Sequence, residues 1–342
     1  MVPAIAVARE LRDSYRAEVR LVGTSRGIET RLVPEAGFPL ELVEVGQLAN
    51  VSLLTRARTS LGLPLAVRQC LKMLRTFRPH VVVGVGGYAS GPAMMAAIAS
   101  RLPTMVYEPN AYPGLVNRTV GRFVTRAAVA FPETVPFFRH AVVTGVPVRS
   151  EIAAAGPLQV EPPRLLVTAG SNGARVFNET MPRIATGLLA AVRGLTIVHQ
   201  TGERAFASTE AAYRAAGLSP LQVNVQPFLQ DMPAQLDRAT LVVARSGSTV
   251  AELAAAGRPS LLVPFPRAAD DHQTKNALAM VRGGAAELLP EAELTPEVLL
   301  QKLIALLLGR ERLLQLGQHA RALSLPDALT EIAATVASLR RG

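Results

Sequence analysis

The chain has 342 residues, 49% of them apolar and 18% charged, with a single cysteine, Cys70. That length supports two domains with large cores, while one cysteine excludes a disulfide framework or a cysteine-rich zinc site and fits a reducing compartment. The net charge of +10 is unevenly placed: residues 1–150 carry 18 Lys/Arg against 9 Asp/Glu, and residues 151–342 carry 18 against 17.

In chain order, MVPAIAVARELRDSY reads as a helix with Pro3 in its first turn, followed by a strand, AEVRLVG. A doubly wound domain ordinarily opens with a buried strand, so a strand and loop are expected ahead of this helix. The opening residues lack the basic flank and cleavage site of a signal peptide. Residues 51–80 hold Arg56, Arg58, Arg68, Lys72, Arg75 and Arg78 and no acid, interleaved with leucines. That mixture suits an anionic lipid surface, with a solvated helix face as the alternative. Nucleic acid is the weaker match, because aromatics are 4% of the chain, Trp is absent and no recognition motif occurs. No apolar run reaches the roughly 18 residues of a spanning helix.

From residue 81 onward, short β-branched runs alternate with Ala/Leu-rich stretches. VVVGV (81–85), TMVY (104–107), AVVT (141–144), RLLVT (164–168), LTIVH (195–199), TLVVA (240–244) and PSLLVPF (259–265) read as parallel strands with crossover helices. The fold class is therefore α/β, with two doubly wound, Rossmann-like domains facing across a cleft. Prolines and glycines between Val146 and Pro163 mark the joint. The domains are a first domain at 1–146, a linker at 147–163, a second domain at 164–326 and a C-terminal helix at 327–342 that packs back on the first.

Parallel sheets bind ligands beyond the carboxyl ends of their strands, and glycines, hydroxyls and amides crowd those places. Gly86-Gly87-Tyr88-Ala89-Ser90-Gly91-Pro92 is either a tight turn or an anion-receiving helix start. Glu108-Pro109-Asn110 places a carboxylate and a carboxamide at a strand end, Asn110 serving as a cap or a substrate contact. Ala169-Gly170-Ser171-Asn172-Gly173-Ala174-Arg175 has the make-up of a phosphate loop, though neither Walker A nor GxGxxG. His199, at the end of its strand, is a structural residue or a base. Arg245-Ser246-Gly247-Ser248-Thr249 leads to Glu252 about one turn into a helix, where a carboxylate can accept both ribose hydroxyls while the preceding amides meet phosphate. Asp270 and Asp271 are adjacent rather than spaced as D-x-D, a poor metal-nucleotide clamp.

GVGGYASGP (84–92), YEPN (107–110), TGVPVR (144–149), TAGSNGAR (168–175), HQTG (199–202), PFLQDM (227–232), ARSGSTVAELAAAG (244–257), VPFP (263–266) and DHQTKNA (271–277) occur in one order along the chain. In these segments the chain resembles the bacterial glycosyltransferases of peptidoglycan synthesis that add N-acetylglucosamine to lipid-linked muramyl pentapeptide, enzymes of the two-domain B-type fold. The resemblance implies inverting transfer of GlcNAc from UDP-GlcNAc to the C4 hydroxyl of undecaprenyl-pyrophosphoryl muramyl pentapeptide, with no cofactor and no obligatory metal. It further implies a peripheral location on the cytoplasmic face of the bacterial inner membrane and contact with other envelope-synthesis proteins.

Carried over by position, Glu252 takes the ribose hydroxyls, the backbone at Leu229 meets uracil, Ser171 with Ser248 and Thr249 meet the diphosphate, and Gln273 meets the sugar. Asn110 and Arg149 also reach the nucleotide sugar, and Gly86, Gly87 and Tyr88 form the acceptor loop. The family's opening G-G-T-G-G-H loop, with its proposed catalytic histidine, would fall immediately before Met1. Within the sequence as given, His199 and Glu108 are then the candidates for the base. The alternatives are a non-catalytic binder of UDP-sugar or envelope proteins at the membrane, and a glycosyltransferase with another lipid acceptor.

Overall fold

The computed structural model describes residues 2–45, 53–87 and 89–340, with the side chains of residues 2 and 53–61 outside the description. Tyr88 and the side chains of Arg56 and Arg58 therefore lie outside the described residues. The chain divides into one compact unit of residues 1–147 with 325–342 and a second of residues 148–324.

The first unit begins with α1 (Val2–Tyr15), β1 (Leu21–Gly23), α2 (Glu29–Glu35), β2 (Leu40–Leu42) and α3 (Leu53–Phe77). It continues with β3 (Val82–Gly84), α4 (Ser90–Ala99), β4 (Thr104–Glu108), α5 (Leu115–Val120), β5 (Arg126–Val129) and β6 (Ala141–Val143). β1 and β2 pair as a two-stranded parallel sheet, and β3 to β6 form a four-stranded parallel sheet in sequential order. Alternation along β4 explains why helices cover both faces: Met105 and Tyr107 pack with Val7 and Leu11 of α1, whereas Val106 packs with Met94 and Val120.

The second unit runs through α6 (Ser150–Ala153), β7 (Arg164–Thr168), α7 (Arg175–Ala191), β8 (Thr196–Gln200), α8 (Phe206–Ala215), β9 (Val223–Gln226) and α9 (Met232–Arg238). Then come β10 (Leu241–Ala244), α10 (Thr249–Ala256), β11 (Ser260–Leu262), α11 (His272–Arg282), β12 (Ala286–Leu288), α12 (Pro296–Leu308) and α13 (Arg310–Ala322). Its six strands are all parallel in the order β12-β11-β10-β7-β8-β9. The order reverses at β7, which puts the topological switch point between β7 and β10, with Thr168 in register with Ala244. The final helix, α14 (Ala328–Ser338), belongs to the first unit, where Ile332, Ala333 and Val336 join the core beside α1.

Two expectations change. The segment 147–163 is more than a linker: α6 lies in the second unit with Ile152 fully buried, because the last turns of α6 and α10 are held together by arginine side chains described below. Four strands, β2, β5, β9 and β12, arise where no continuous β-branched run marks them, the two valines of β9 being split by Asn224. β5, RAAV, is rich in alanine, and its burial between β4 and β6 supplies what its propensity does not. Among the described residues no helix is long and apolar enough to cross a membrane.

Candidate active site

The site of the second unit is built by the loops leaving β7 and β10 on either side of the switch point. After β7, Gly170 and Gly173 both take positive φ, and a Cβ on Gly173 would stand 1.8 Å from the carbonyl oxygen of Thr201. The loop after β8 answers in kind, since a Cβ on Gly202 would stand 2.3 Å from the carbonyl oxygen of Asn172. Two backbones thus pass in contact, stitched by Gln200 Nε2 donating to the Gly170 carbonyl (2.8 Å) and Asn178 Nδ2 donating to that of Thr201 (3.0 Å). Ser171 sits exposed on this loop. Ala174 is the N-cap of α7 and has no side-chain oxygen to accept from the first turn, which leaves those amides to a ligand anion.

Across the switch point, Ser246 is buried and donates to the Gln273 carbonyl (2.8 Å), while Asn276 Nδ2 donates to the Ser246 carbonyl (3.1 Å). These bonds lock the Ser246 loop to the start of α11 and bring Gln273 beside Gly247. Ser248, exposed, precedes α10 without a side-chain cap bond, so this helix start is also open to an anion. Gln273 Oε1 accepts from the Phe265 amide (2.9 Å), which fixes its carboxamide at the edge of the site. Asp270 and Asp271 adopt left-handed backbone before α11, and Asp271 accepts from Thr274 Oγ1 (2.6 Å). This pair shapes a helix entry.

Glu252 lies one turn into α10 and faces Arg149, with Nη2 to Oε1 at 3.7 Å. Partial burial raises the Glu252 carboxyl above its ordinary pKa, and Arg149 pulls it part of the way back. Leu229, by contrast, is buried in the loop after β9, with its neighbour Phe228 half exposed.

In the first unit, Gly86 and Gly87 both take positive φ where β3 ends, and the adjacent strand β4 ends at Glu108. Glu108 is buried and accepts from the Asn110 amide (3.1 Å), Asn110 Nδ2 (3.0 Å), the Gly114 amide (3.1 Å) and Asn117 Nδ2 (2.8 Å). The carboxylate organises the loop 109–114, and the Asn110 carboxamide nitrogen is engaged inside it.

The chain matches the glycosyltransferase family 28 N-terminal domain over residues 1–129 and the family's C-terminal domain over residues 164–332. It belongs to glycosyltransferase family 28. It is 43% identical, over 97% of its length and 93% of the relative's, to the UDP-N-acetylglucosamine–N-acetylmuramyl-(pentapeptide) pyrophosphoryl-undecaprenol N-acetylglucosamine transferase of Syntrophotalea carbinolica. It is 42% identical to the transferase of the same name from Solibacter usitatus, over 96% of this chain and 90% of that one. The crystal structure of Acinetobacter baumannii MurG superimposes with a TM-score of 0.84 at 29% identity, covering 98% of this chain and 95% of that one.

For this family 28 chain, the two sequence candidates for the base have enclosed surroundings. His199 is fully buried, its Nδ1 pairs with the Tyr213 hydroxyl at 2.9 Å, and burial lowers its pKa to about 3. Glu108 is held by the four donors above. Neither side chain presents an open face to an incoming hydroxyl.

Arg245, the first residue of the RSGS motif, has a role that the motif alone does not indicate. Arg245 lies over Phe177 and Phe265, donates to the carbonyls of Val263 (3.1 Å) and Pro264 (2.9 Å), and pairs with Glu291. It braces the end of β11 against the Ser246 loop. Its place at the strand end is legible, but its partners come from three separate segments: Phe177, the run 263–265 and Glu291.

Proposed function

We propose that this family 28 chain transfers N-acetylglucosamine from UDP-GlcNAc to the C4 hydroxyl of lipid-linked muramyl pentapeptide, with inversion. The observation that carries the reading is the pair of uncapped helix starts, α7 and α10, flanking the switch point with Glu252 one turn beyond. Two amide clusters suit a diphosphate, and a carboxylate at that distance suits a ribose diol. The sugar and the acceptor follow from the relatives' names and from the chain's similarity to them over nearly its full length.

In this reading the departing UDP gains negative charge, which the helix starts and Arg149 stabilise. Gln273 orients the sugar beside Gly247, and the acceptor is bound by the first unit's glycine loop at 86–87. Glu252→Ala should weaken UDP binding by about 1.5–3 kcal/mol, through the loss of charge-assisted hydrogen bonds. Titration calorimetry measures this, and equal affinity in the variant would remove the assignment. Because Glu252 accepts as a carboxylate and its pKa is raised, UDP affinity should begin to fall at a higher pH on acidification than an ordinary Glu would dictate.

The reading also takes the enzyme to an anionic membrane surface, on the cytoplasmic face, where a lipid-linked acceptor is met. Its support is the face of α3 on which Arg68, Lys72 and Arg75 stand exposed beside Leu71, with Leu65 largely exposed one turn earlier. On the opposite face Ala66 and Cys70 are buried, so the helix separates a core side from a basic side. Changing Arg68, Lys72, Arg75 and Arg78 to Gln should reduce binding to anionic vesicles, each charge near the surface contributing about 1 kcal/mol. Unchanged co-sedimentation would favour a plain solvated face.

A further inference from the structure

Arg149 and Glu252 face each other at 3.7 Å from two different helices, so their spacing depends on how those helices are joined. Arg149 has more than half of its side chain exposed, and α6, which it precedes, is only four residues long. The Arg149 carbonyl accepts from the Ile152 (3.0 Å) and Ala153 (3.2 Å) amides, so the arginine moves with α6 and its position depends on what holds that helix. The join lies one turn below the pair, at the carboxyl ends of α6 and α10.

There the guanidinium of Arg321, in the last turn of α13, donates to four backbone carbonyls. Nη1 reaches Ala153 (3.0 Å) and Ala255 (2.5 Å), and Nη2 reaches Ala155 (2.7 Å) and Ala256 (3.1 Å). Carbonyls at helix ends lack intrahelical partners and carry the negative end of the helix dipole, so a planar cation satisfies both needs at once. Ala153 lies four residues after Arg149, and Ala255 and Ala256 lie three and four after Glu252. One rigid fork therefore joins the two helices a single turn beneath the two side chains that face each other.

Two further features support the same clamp. Gly257 takes φ +62 and a Cβ there would stand 2.9 Å from Arg321 Nε, so the glycine makes room for the guanidinium as well as ending α10. The chain beyond α6 is gripped again at Gly156. Its carbonyl accepts from Arg258 Nη2 (2.9 Å), and its amide donates to Asp237 (2.8 Å). Arg258 is fully buried and also donates to the carbonyls of Leu236 and Asp237 at the end of α9. Segment 153–156 is thus anchored on both sides, and Arg149 inherits its position from that anchorage.

We propose that Arg321 is a positioning residue for nucleotide binding: by joining the carboxyl ends of α6 and α10 it sets the Arg149–Glu252 pair at the spacing the ribose and diphosphate require. The proposal rests on the nucleotide reading of Glu252 given above. Lysine keeps the charge of Arg321 but presents a single point in place of a fork, so it cannot bridge four carbonyls.

The test is a double-mutant cycle on UDP affinity, using Arg321→Lys and the combined Arg149→Ala/Glu252→Ala variant in the full chain, with Glu252→Ala alone and the melting temperature of each variant measured alongside. Arg321→Lys should weaken UDP binding about tenfold in the wild-type background and less than twofold in the Arg149→Ala/Glu252→Ala background, because the clamp acts through that pair. Equal losses in both backgrounds, or unchanged affinity in the single variant, would overturn the proposal and leave Arg321 a stabilising residue only. If Arg321→Lys does not give folded protein, Gly257→Ala, which crowds the guanidinium, takes its place in the same cycle with the same two outcomes. Should Glu252→Ala itself bind UDP normally, the nucleotide reading fails. Should Glu252→Ala bind weakly while Arg321→Lys binds normally, the positioning role alone fails.

Discussion

Gly173→Ala should cost on the order of 3–5 kcal/mol of stability and should disable nucleotide binding in whatever folded protein remains. Two penalties coincide at this position. The backbone has φ +66, where an L side chain is strained, and the new Cβ would lie 1.8 Å from the Thr201 carbonyl oxygen, a backbone atom with no rotamer to escape into. Relief requires the loop after β7 to part from the loop after β8, and Ser171 and the start of α7 would move with it. Gly170→Ala provides the comparison, because φ is +73 there but nothing lies within 4 Å of the added methyl. It should cost only about 1–2 kcal/mol, the price of the left-handed backbone alone. Denaturant unfolding of the two variants measures the difference, and equal losses would mean that the loops are not interlocked.

Acid should destabilise the chain in a window set by His199. Its folded pKa is depressed to about 3 from 6.5 by burial, so between those values the unfolded chain binds a proton that the folded chain refuses. Stability from this group is fully present above pH 6.5 and declines as pH falls toward 3. Between pH 6.5 and 5 the loss should be about 2 kcal/mol, at roughly 1.4 kcal/mol per unit of pH.

Carboxyls with lowered pKa, such as Glu29, act in the same sense but only below about pH 4.5, their unfolded range. Glu252 acts in the opposite sense, because its raised carboxyl takes up a proton before the unfolded chain does. The measure is therefore the difference between wild type and His199→Gln, which can still bond the Tyr213 hydroxyl and does not titrate. The variant should lose that decline, and an identical pH profile in both proteins would show that His199 is not its source.

Gly173 lies in the loop after β7 and His199 one residue before the end of β8, both at the edge where the sequence crowds its glycines and polar groups. Alternation of β-branched runs with Ala/Leu-rich stretches was sufficient to indicate a parallel α/β fold, because strands buried on both faces must be continuously apolar, as RLLVT and TLVVA are. The same logic gives the edge at which a ligand is expected, since parallel strands deliver all their carboxyl ends to one side. Glycine, hydroxyl and carboxylate residues after those strands could be identified from spacing, and Glu252 stood out because a helix start with one acid a turn inside has a chemical use. These are local properties, written within a few residues of each other.

What remained hidden is long-range. β12, AEL, is too short to carry a period and exists because its backbone pairs with β11. His199 and Glu108 look alike in sequence as polar residues at strand ends, and only packing encloses the first against Tyr213 and surrounds the second with four donors. Arg321 has no motif at all: its partners at 153, 155, 255 and 256 are brought together by the docking of α13 on α10. Periodicity and loop composition follow from nearest neighbours, so the fold class, and the edge at which a ligand is expected, can be read from the order of the residues. Which of the groups at that edge stand exposed and which are held as supports follows from packing, because burial and hydrogen-bond partnership depend on segments far apart in the chain.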